Sequence, residues 1–361
     1  MNINKINNNN FAYKYIIIIL FNLIILILIF SEGKNKIRNR IGVVGVRHEV
    51  NIGNNLIKYA ISIKLKELGY VPYIIGTHWK NYNITFINQT TNLVIINNNF
   101  TELKEDDYDF LIVNSDQTWY RYDQHFYDYG FLKFAENWKI RKFVYGASIG
   151  HDFWKLNKTD EQIAKRLVRQ FSGISVREIG SIKLIEQHLG ITPTFVLDPT
   201  FLIDKKFYLD IIKNYKGDVP IKKKYIFIYN INNNKYVIDA AKDSAKIFDF
   251  DTYFFNLNNE SSIQNFIYYM VKSEAVITNA FHGTVFSIIF NKPFITIYRR
   301  YDAIERFNSL GYLFGVKDRL YINGQEINID LLKKPLKINH KLLNKFKRNS
   351  INFIKDNLRK I

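Results

Sequence analysis

The sequence predicts an α/β protein of two Rossmann-like halves facing a cleft, preceded by an N-terminal hydrophobic anchor. Three observations carry that reading. Short β-branched runs alternate with helical stretches along most of the chain, the pattern of parallel sheets covered on both faces. The alternation comes in two series, separated by a Lys- and Asp-containing stretch at 204–224. The 361 residues, 47% of them hydrophobic, suffice for two cores at about 100–200 residues per domain.

In chain order, residues 1–14 are polar and Asn-rich, and Tyr15–Phe30 is an apolar run interrupted only by Asn22. Sixteen helical residues reach about 24 Å, short of the ~30 Å hydrocarbon core, and Phe11–Tyr13 can lengthen the run. It reads as a signal-peptide core or an uncleaved anchor. The lack of a small-x-small site around Ile29–Gly33 favours the anchor. Lys5 and Lys14 precede the run; Lys34, Lys36, Arg38 and Arg40 follow it. The positive-inside rule then puts the body in the cytoplasm, with lumenal placement as the alternative.

In the first series, strands are predicted at 41–46, 71–75, 110–113, 142–147, 173–176 and 194–197. Helices are predicted at 54–68, 161–170 and 181–189, the first and last closed by Gly69 and Gly190. In the second, strands are expected at 225–229, 252–255, 275–278 and 294–297, with helices near 235–246, 262–272 and 283–290. Residues 338–361 form a basic amphipathic helix with Leu343, Phe346, Ile354, Leu358 and Ile361 on one side, expected to pack on the body rather than bind a membrane, with a membrane role for its basic outer face as the alternative. The expected units are therefore 1–40, 41–215, 216–337 and 338–361.

The chain has no cysteine, which removes disulfides, Cys-ligated zinc and thiol nucleophiles together. Its net charge of +18 favours an anionic partner. From Lys333 onward, ten Lys/Arg face one acid, Asp356, so half of that charge sits in the last 29 residues. This distribution argues against nucleic acid. No dinucleotide fingerprint, P-loop, HExxH or EF-hand spacing is present, and no metal site is expected.

Ligands of open α/β sheets sit beyond the carboxyl ends of strands. Four such ends carry polar clusters. Asn279-Ala280-Phe281-His282-Gly283-Thr284 opens a helix, with His282 at the junction and free N–H groups suited to an anion. Arg299 and Arg300 follow the next strand, and Arg306 comes soon after. Their guanidinia suit phosphate or carboxylate. Arg177-Glu178 closes one strand of the first half. Asn114-Ser115-Asp116-Gln117-Thr118-Trp119 closes another, as a sugar site or a structural turn. The loop Arg47–Asn54 enters the first helix.

Together, Asn51-Ile52-Gly53-Asn54-Asn55-Leu56, Ser115-Asp116-Gln117-Thr118-Trp119, Ser175-Val176-Arg177-Glu178, Leu197-Asp198-Pro199-Thr200-Phe201-Leu202 and Phe281-His282-Gly283-Thr284 resemble the polysaccharide pyruvyl transferase family, over about residues 41–320. The resemblance implies a glycosyltransferase-B-like fold. It also implies transfer of pyruvate from phosphoenolpyruvate to two sugar hydroxyls as a cyclic ketal, with release of phosphate and no further cofactor. His282 and Arg177 take the positions that handle phosphoenolpyruvate. Arg299, Arg300 and Arg306 compete for a further basic position. Asn51, Asn54, Asp116, Gln117, Trp119, Glu178, Gly283 and Thr284 complete the expected substrate contacts.

Two departures stand out: Asn114 where the family has Gly, and Asn279-Ala280 before the FHG motif. Asn54 stands where some members carry an acid proposed as base, and an amide cannot take a proton. Asp116 and Glu49 are the candidate bases by chemistry. Histidine titrates in the range needed to protonate the donor as phosphate leaves. A nucleotide-sugar glycosyltransferase and an inactive glycan-binding relative remain the alternative readings.

Overall fold

The structure is a computed structural model that describes residues 39–45, 51–77, 92–96, 100–120, 125–218, 222–255, 262–300 and 304–359. The apolar run Tyr15–Phe30 and Glu49 lie outside the described residues. Among the described residues, no helix is long and apolar enough to cross a membrane.

Seven parallel strands form the first sheet: β1 (Arg40–Val44), β2 (Val71–Thr77), β3 (Asn92–Ile96), β4 (Phe110–Val113), β5 (Arg141–Ala147), β6 (Gly173–Val176) and β7 (Thr194–Phe195). Their order is β3-β2-β1-β4-β5-β6-β7. The helices of this half are α1 (Ile52–Glu67), α2 (Phe126–Phe131), α3 (Lys158–Leu167), α4 (Ile179–Leu189) and α5 (Lys205–Ile211). The second sheet holds β8 (Tyr225–Tyr229), β9 (Asp251–Phe255), β10 (Ala275–Thr278), β11 (Phe294–Tyr298) and β12 (Leu320–Ile322), in the order β12-β11-β10-β8-β9. Its helices are α6 (Lys235–Phe248), α7 (Ile263–Lys272), α8 (Phe281–Phe290) and α9 (Ile304–Phe314). A last helix, α10 (His340–Leu358), follows.

All strand pairings are parallel, so the central strands are buried on both faces and read as unbroken apolar runs: Phe110–Val113, Tyr225–Tyr229 and Phe294–Tyr298 are buried throughout. Strand order reverses between β1 and β4 in the first sheet and between β8 and β10 in the second. Those reversals open crevices at the carboxyl ends.

One apolar cluster runs through both halves, from Val43 and Tyr145 to Phe227 and Phe294. Phe201 stacks on Phe314 at 4.8 Å and Tyr208 meets Phe286 edge-on at 5.0 Å. The halves therefore share a core as well as a cleft. Helix α10 returns to the first sheet. Phe353 packs on Phe143 and Tyr145, and Phe346 on Phe195. Ser350 Oγ accepts from Leu197 N at 2.9 Å.

Candidate active site

The crevices bring the strand-end segments to one point. Arg177, at the end of β6, has a side chain with no solvent exposure. It donates to Asp198 Oδ2 at 2.6 Å, Asp116 Oδ1 at 3.1 Å and Ser115 Oγ at 3.3 Å. Its Nε lies 3.9 Å from Glu178 Oε1. A buried guanidinium needs this much compensation. The two terminal nitrogens of Arg177 are thus committed to Asp198, Asp116 and Ser115, while its Nε is buried without a hydrogen-bond partner. Arg177 organises the acids.

Asp116 is held at φ 123°, a backbone conformation rare outside glycine and one that costs on the order of 1–3 kcal/mol. The strain is fixed from several sides. Ser148 N donates to its carbonyl at 3.0 Å, Gln117 N to Oδ1 at 2.9 Å, and Asn54 Nδ2 to Oδ2 at 2.9 Å. Burial pushes the Asp116 carboxyl up, but Arg177, then His282, Asn54 and Arg306, hold it far below the usual carboxylate range. Asp116 is therefore ionised and a weak proton acceptor, which counts against it as the base.

Asp198 is in the same state: burial is outweighed by Arg177, His282 and Thr200. Its Oδ1 accepts from Thr200 N at 3.0 Å and Thr200 Oγ1 at 2.6 Å. Its Oδ2 lies 3.8 Å from His282 Nε2, an ion-pair distance. His282 is 6% exposed, and its Nε2 is buried without a hydrogen-bond partner.

The His282 ring closes on the other half. It rests against Gly53 in the first turn of α1, where an added Cβ would lie 2.1 Å from Nδ1. Asn51 caps that turn, accepting from Gly53 N at 2.9 Å. No side chain caps the start of α8, whose first N–H groups point into the crevice end of β10. Beside His282, the Phe281 ring carries the Arg177 guanidinium at 4.7 Å and that of half-buried Arg306 at 5.3 Å.

Arg306 is the cation of the three candidates that joins the cluster; Arg299 and Arg300 are exposed beyond β11. Four other expected contacts have structural roles. Trp119 is buried, stacked on Phe131 at 5.2 Å, and donates to Gly130 O at 2.8 Å. Glu178 is fully buried and clamps the loop after β5, accepting from Gly150 N at 3.0 Å, Ile149 N at 3.2 Å and Ser148 Oγ. Gly283 lets α8 approach β10, since a Cβ there would lie 2.3 Å from Thr278 Oγ1. Thr284 bonds Thr296 Oγ1 at 2.7 Å in the core. Gln117 is half-buried beside Asp116.

Two amides remain. Asn54 Oδ1 is buried and unpartnered, and its orientation is set because the Asp116 carboxylate accepts only from Nδ2. Asn114, 1% exposed between the ends of β1 and β4, has neither amide atom bonded. Both amides thus hold hydrogen-bonding capacity that the protein itself does not use. Among the described residues, no three His, Asp or Glu side chains are placed to hold a metal ion.

The family model for polysaccharide pyruvyl transferases matches residues 51–301. The chain belongs to that family. The matched span contains every residue of the cluster except Arg306, which lies beyond its end. No curated protein matches the sequence significantly. Among solved structures, it is similar to UDP-GlcNAc 2-epimerase from Neisseria meningitidis bound to UDP-GlcNAc. The TM-score is 0.54 at 11% identity, over 88% of this chain and 99% of that one. A putative UDP-N-acetylglucosamine 2-epimerase from Listeria monocytogenes gives 0.51 at 11% identity, over 87% and 90%. At such identity the likeness is one of fold: two parallel α/β sheets facing a cleft, the glycosyltransferase-B-like arrangement.

Proposed function

We propose that this polysaccharide pyruvyl transferase family member moves pyruvate from phosphoenolpyruvate onto two hydroxyls of a glycan sugar, as a cyclic ketal. Two sugar oxygens bond to C2 of the donor, the C2–O–phosphate bond breaks, and the methylene carbon gains a proton to become methyl. One hydroxyl proton is accounted for at that carbon; the other leaves with phosphate. The observation that carries this reading is His282, a buried histidine at the joint of the halves with an unpartnered Nε2 and Asp198 3.8 Å away. That open ring nitrogen, with Asp198 beside it, makes His282 the acid of this reading, which delivers the proton to the methylene carbon.

Donor and acceptor sort by hydrogen-bond type. The oxygens of phosphoenolpyruvate only accept, so they face Arg306, the uncapped start of α8, and Arg299 and Arg300 at the rim. Asn54 Oδ1 also only accepts, so it faces a hydroxyl of the sugar. Asp116 behind its amide polarises it without taking the proton. Departing phosphate is the final proton acceptor. The acceptor is a polysaccharide precursor, free or lipid-linked. The run Tyr15–Phe30 anchors the chain in the membrane with this body in the cytoplasm.

The test needs no acceptor. A ligand at 100 times its dissociation constant stabilises by about 2.7 kcal/mol, visible as a raised thermal midpoint. Phosphoenolpyruvate is expected to raise it, and Arg306→Ala to abolish the rise. A rise with nucleotide sugars alone would replace this reading with glycosyl transfer. Binding of phosphoenolpyruvate with no phosphate release on any glycan would identify an inactive relative.

A further inference from the structure

We propose that the outer face of α10 is a docking surface for an anionic lipid membrane. Lys341, Lys345, Arg348, Lys355 and Arg359 are exposed, at spacings of four, three, seven and four residues. Together with Asn352 they form a single stripe along the helix. At 1.5 Å per residue, the stripe is about 27 Å long. The only acid of α10, Asp356, lies 3.4 Å from Arg359. Lys341, Lys345, Arg348 and Lys355 have no acidic partner among the described residues. The opposite face is fixed by packing: Ser350, Ile354 and Leu358 are buried, and Lys347 turns the other way to Asp204 at 2.8 Å. The helix that carries the stripe is therefore held with this face outward.

A Lys-rich composition does not by itself produce such a face. On α3, Lys165 pairs with Glu161 at 2.8 Å and Arg166 with Glu136. The exposed side of α6 interleaves Lys242 and Lys246 with Asp239 and Asp243. On α10, by contrast, four of the five stripe cations have no such acidic neighbour among the described residues, and Asp356 meets only Arg359.

The shape and place of the row favour a lipid surface. Cations side by side on a convex helix make no cradle for a small anion, but they match the spaced charges of headgroups. The Leu358 carbonyl accepts from Tyr70 Oη at 3.0 Å, and the Arg359 carbonyl from Arg141 at 2.6 Å. Tyr70 precedes Val71, which pairs with Arg40. The stripe thus ends at the amino edge of the first sheet, where Arg40 begins β1. In the sequence, the apolar run ends ten residues before Arg40, and Lys34, Lys36 and Arg38 lie between. Ten residues of chain span at most about 35 Å. His282 and Asp116 sit at the carboxyl ends of their strands, so contact along this row leaves the crevices open.

The experiment compares the full chain with its K341A/K345A/R348A/K355A variant. Both are sedimented with phosphatidylcholine vesicles, with and without phosphatidylserine. The apolar run contributes to both vesicle types; the increment with phosphatidylserine reads the stripe. Each cation is worth about fivefold near such a surface, so the variant, which lacks four, should lose on the order of several hundredfold of that increment. The increment should also fall as salt rises. Thermal midpoint and phosphoenolpyruvate binding should match the parent. An increment that is absent in the parent, or undiminished in the variant, overturns the proposal. Salt-sensitive binding to a soluble anionic polysaccharide that exceeds binding to the vesicles overturns it in favour of a glycan.

Discussion

His282 and Asp198 illustrate what one residue's neighbours decide. The sequence marks His282 by its place between a strand and a helix. Asp198 looks like a turn residue, because Asp-Pro-Thr is a self-capping pattern: its carboxylate accepts from Thr200 N. The second carboxylate oxygen, which meets Arg177 and His282, leaves no mark in the local pattern. Trp119, Glu178 and Thr284 show the converse. Polar and aromatic residues gather at strand ends both to bind ligands and to bond loops, and only the fold separates the two. His282→Gln should lower kcat by about 10²–10⁴ while leaving the KM for phosphoenolpyruvate within a few-fold, read in a phosphate-release assay. Retention of the parent kcat would remove His282 as the acid. Asp198→Asn should act differently. It leaves Arg177 short of a buried counter-charge, so about 3–5 kcal/mol of stability should go with the activity, measured by urea unfolding.

Elements meet across the halves through glycines, and their neighbours set the cost of filling them. A Cβ at Gly53 would lie 2.1 Å from His282 Nδ1, 2.4 Å from Cγ and 2.9 Å from Cβ, which is a buried ring with no room to withdraw. At Gly180, in the first turn of α4, the nearest atom is Glu305 Oε2, also at 2.1 Å. That carboxylate is the far end of a flexible, half-buried side chain on α9. Gly53→Ala should therefore cost about 1–3 kcal/mol by overpacking and most of the activity. Gly180→Ala should stay within about 1 kcal/mol of the parent with activity kept. Thermal unfolding and turnover on the pair test the joint, and equal effects would mean that α1 does not seat the histidine. At this scale the sequence was most legible where strands are central. Phe110–Val113 and Tyr225–Tyr229 are apolar on both faces, and there the boundaries expected from sequence coincide with those of the structure. β3 and β12 are edge strands whose apolar runs, residues 93–96 and Leu320–Ile322, are only four and three residues long, too short to mark a strand on their own, and β7 ends at Phe195, after which the chain turns to deliver Asp198.

At the scale of the molecule, the two-series alternation was enough to read the two-sheet architecture. The return of α10 to the first sheet was not readable, since an amphipathic helix does not say which surface it covers. The shared core has a consequence for pH that no single segment suggests. Asp116 and Asp198 have folded pKa values far below their unfolded ones. Their contribution is present above about pH 4, the unfolded carboxylate range, and is lost as pH falls toward the folded values. Tyr59 and Tyr108 are shifted the other way, both to about 12. Burial is the first cause for each, joined by Asp210 for Tyr59 and by Asp107 and Tyr73 for Tyr108, with Arg40 opposing. A raised folded pKa gives stability that is complete below the unfolded value near 10 and lost as pH rises through the folded one. Unfolding free energy should therefore fall at the acid and alkaline ends, and His151, whose pKa burial and then Lys155 and Arg306 lower, adds a decline as pH drops through the histidine range. Tyr59 donates to Phe207 O at 3.3 Å, a long bond whose loss costs little. Tyr59→Phe should thus match the parent near pH 7 and lose about 2 kcal/mol less than it between about pH 10 and pH 12. Urea unfolding across that range decides the matter: an alkaline limb identical in both proteins would mean that Tyr59 ionises as readily folded as unfolded.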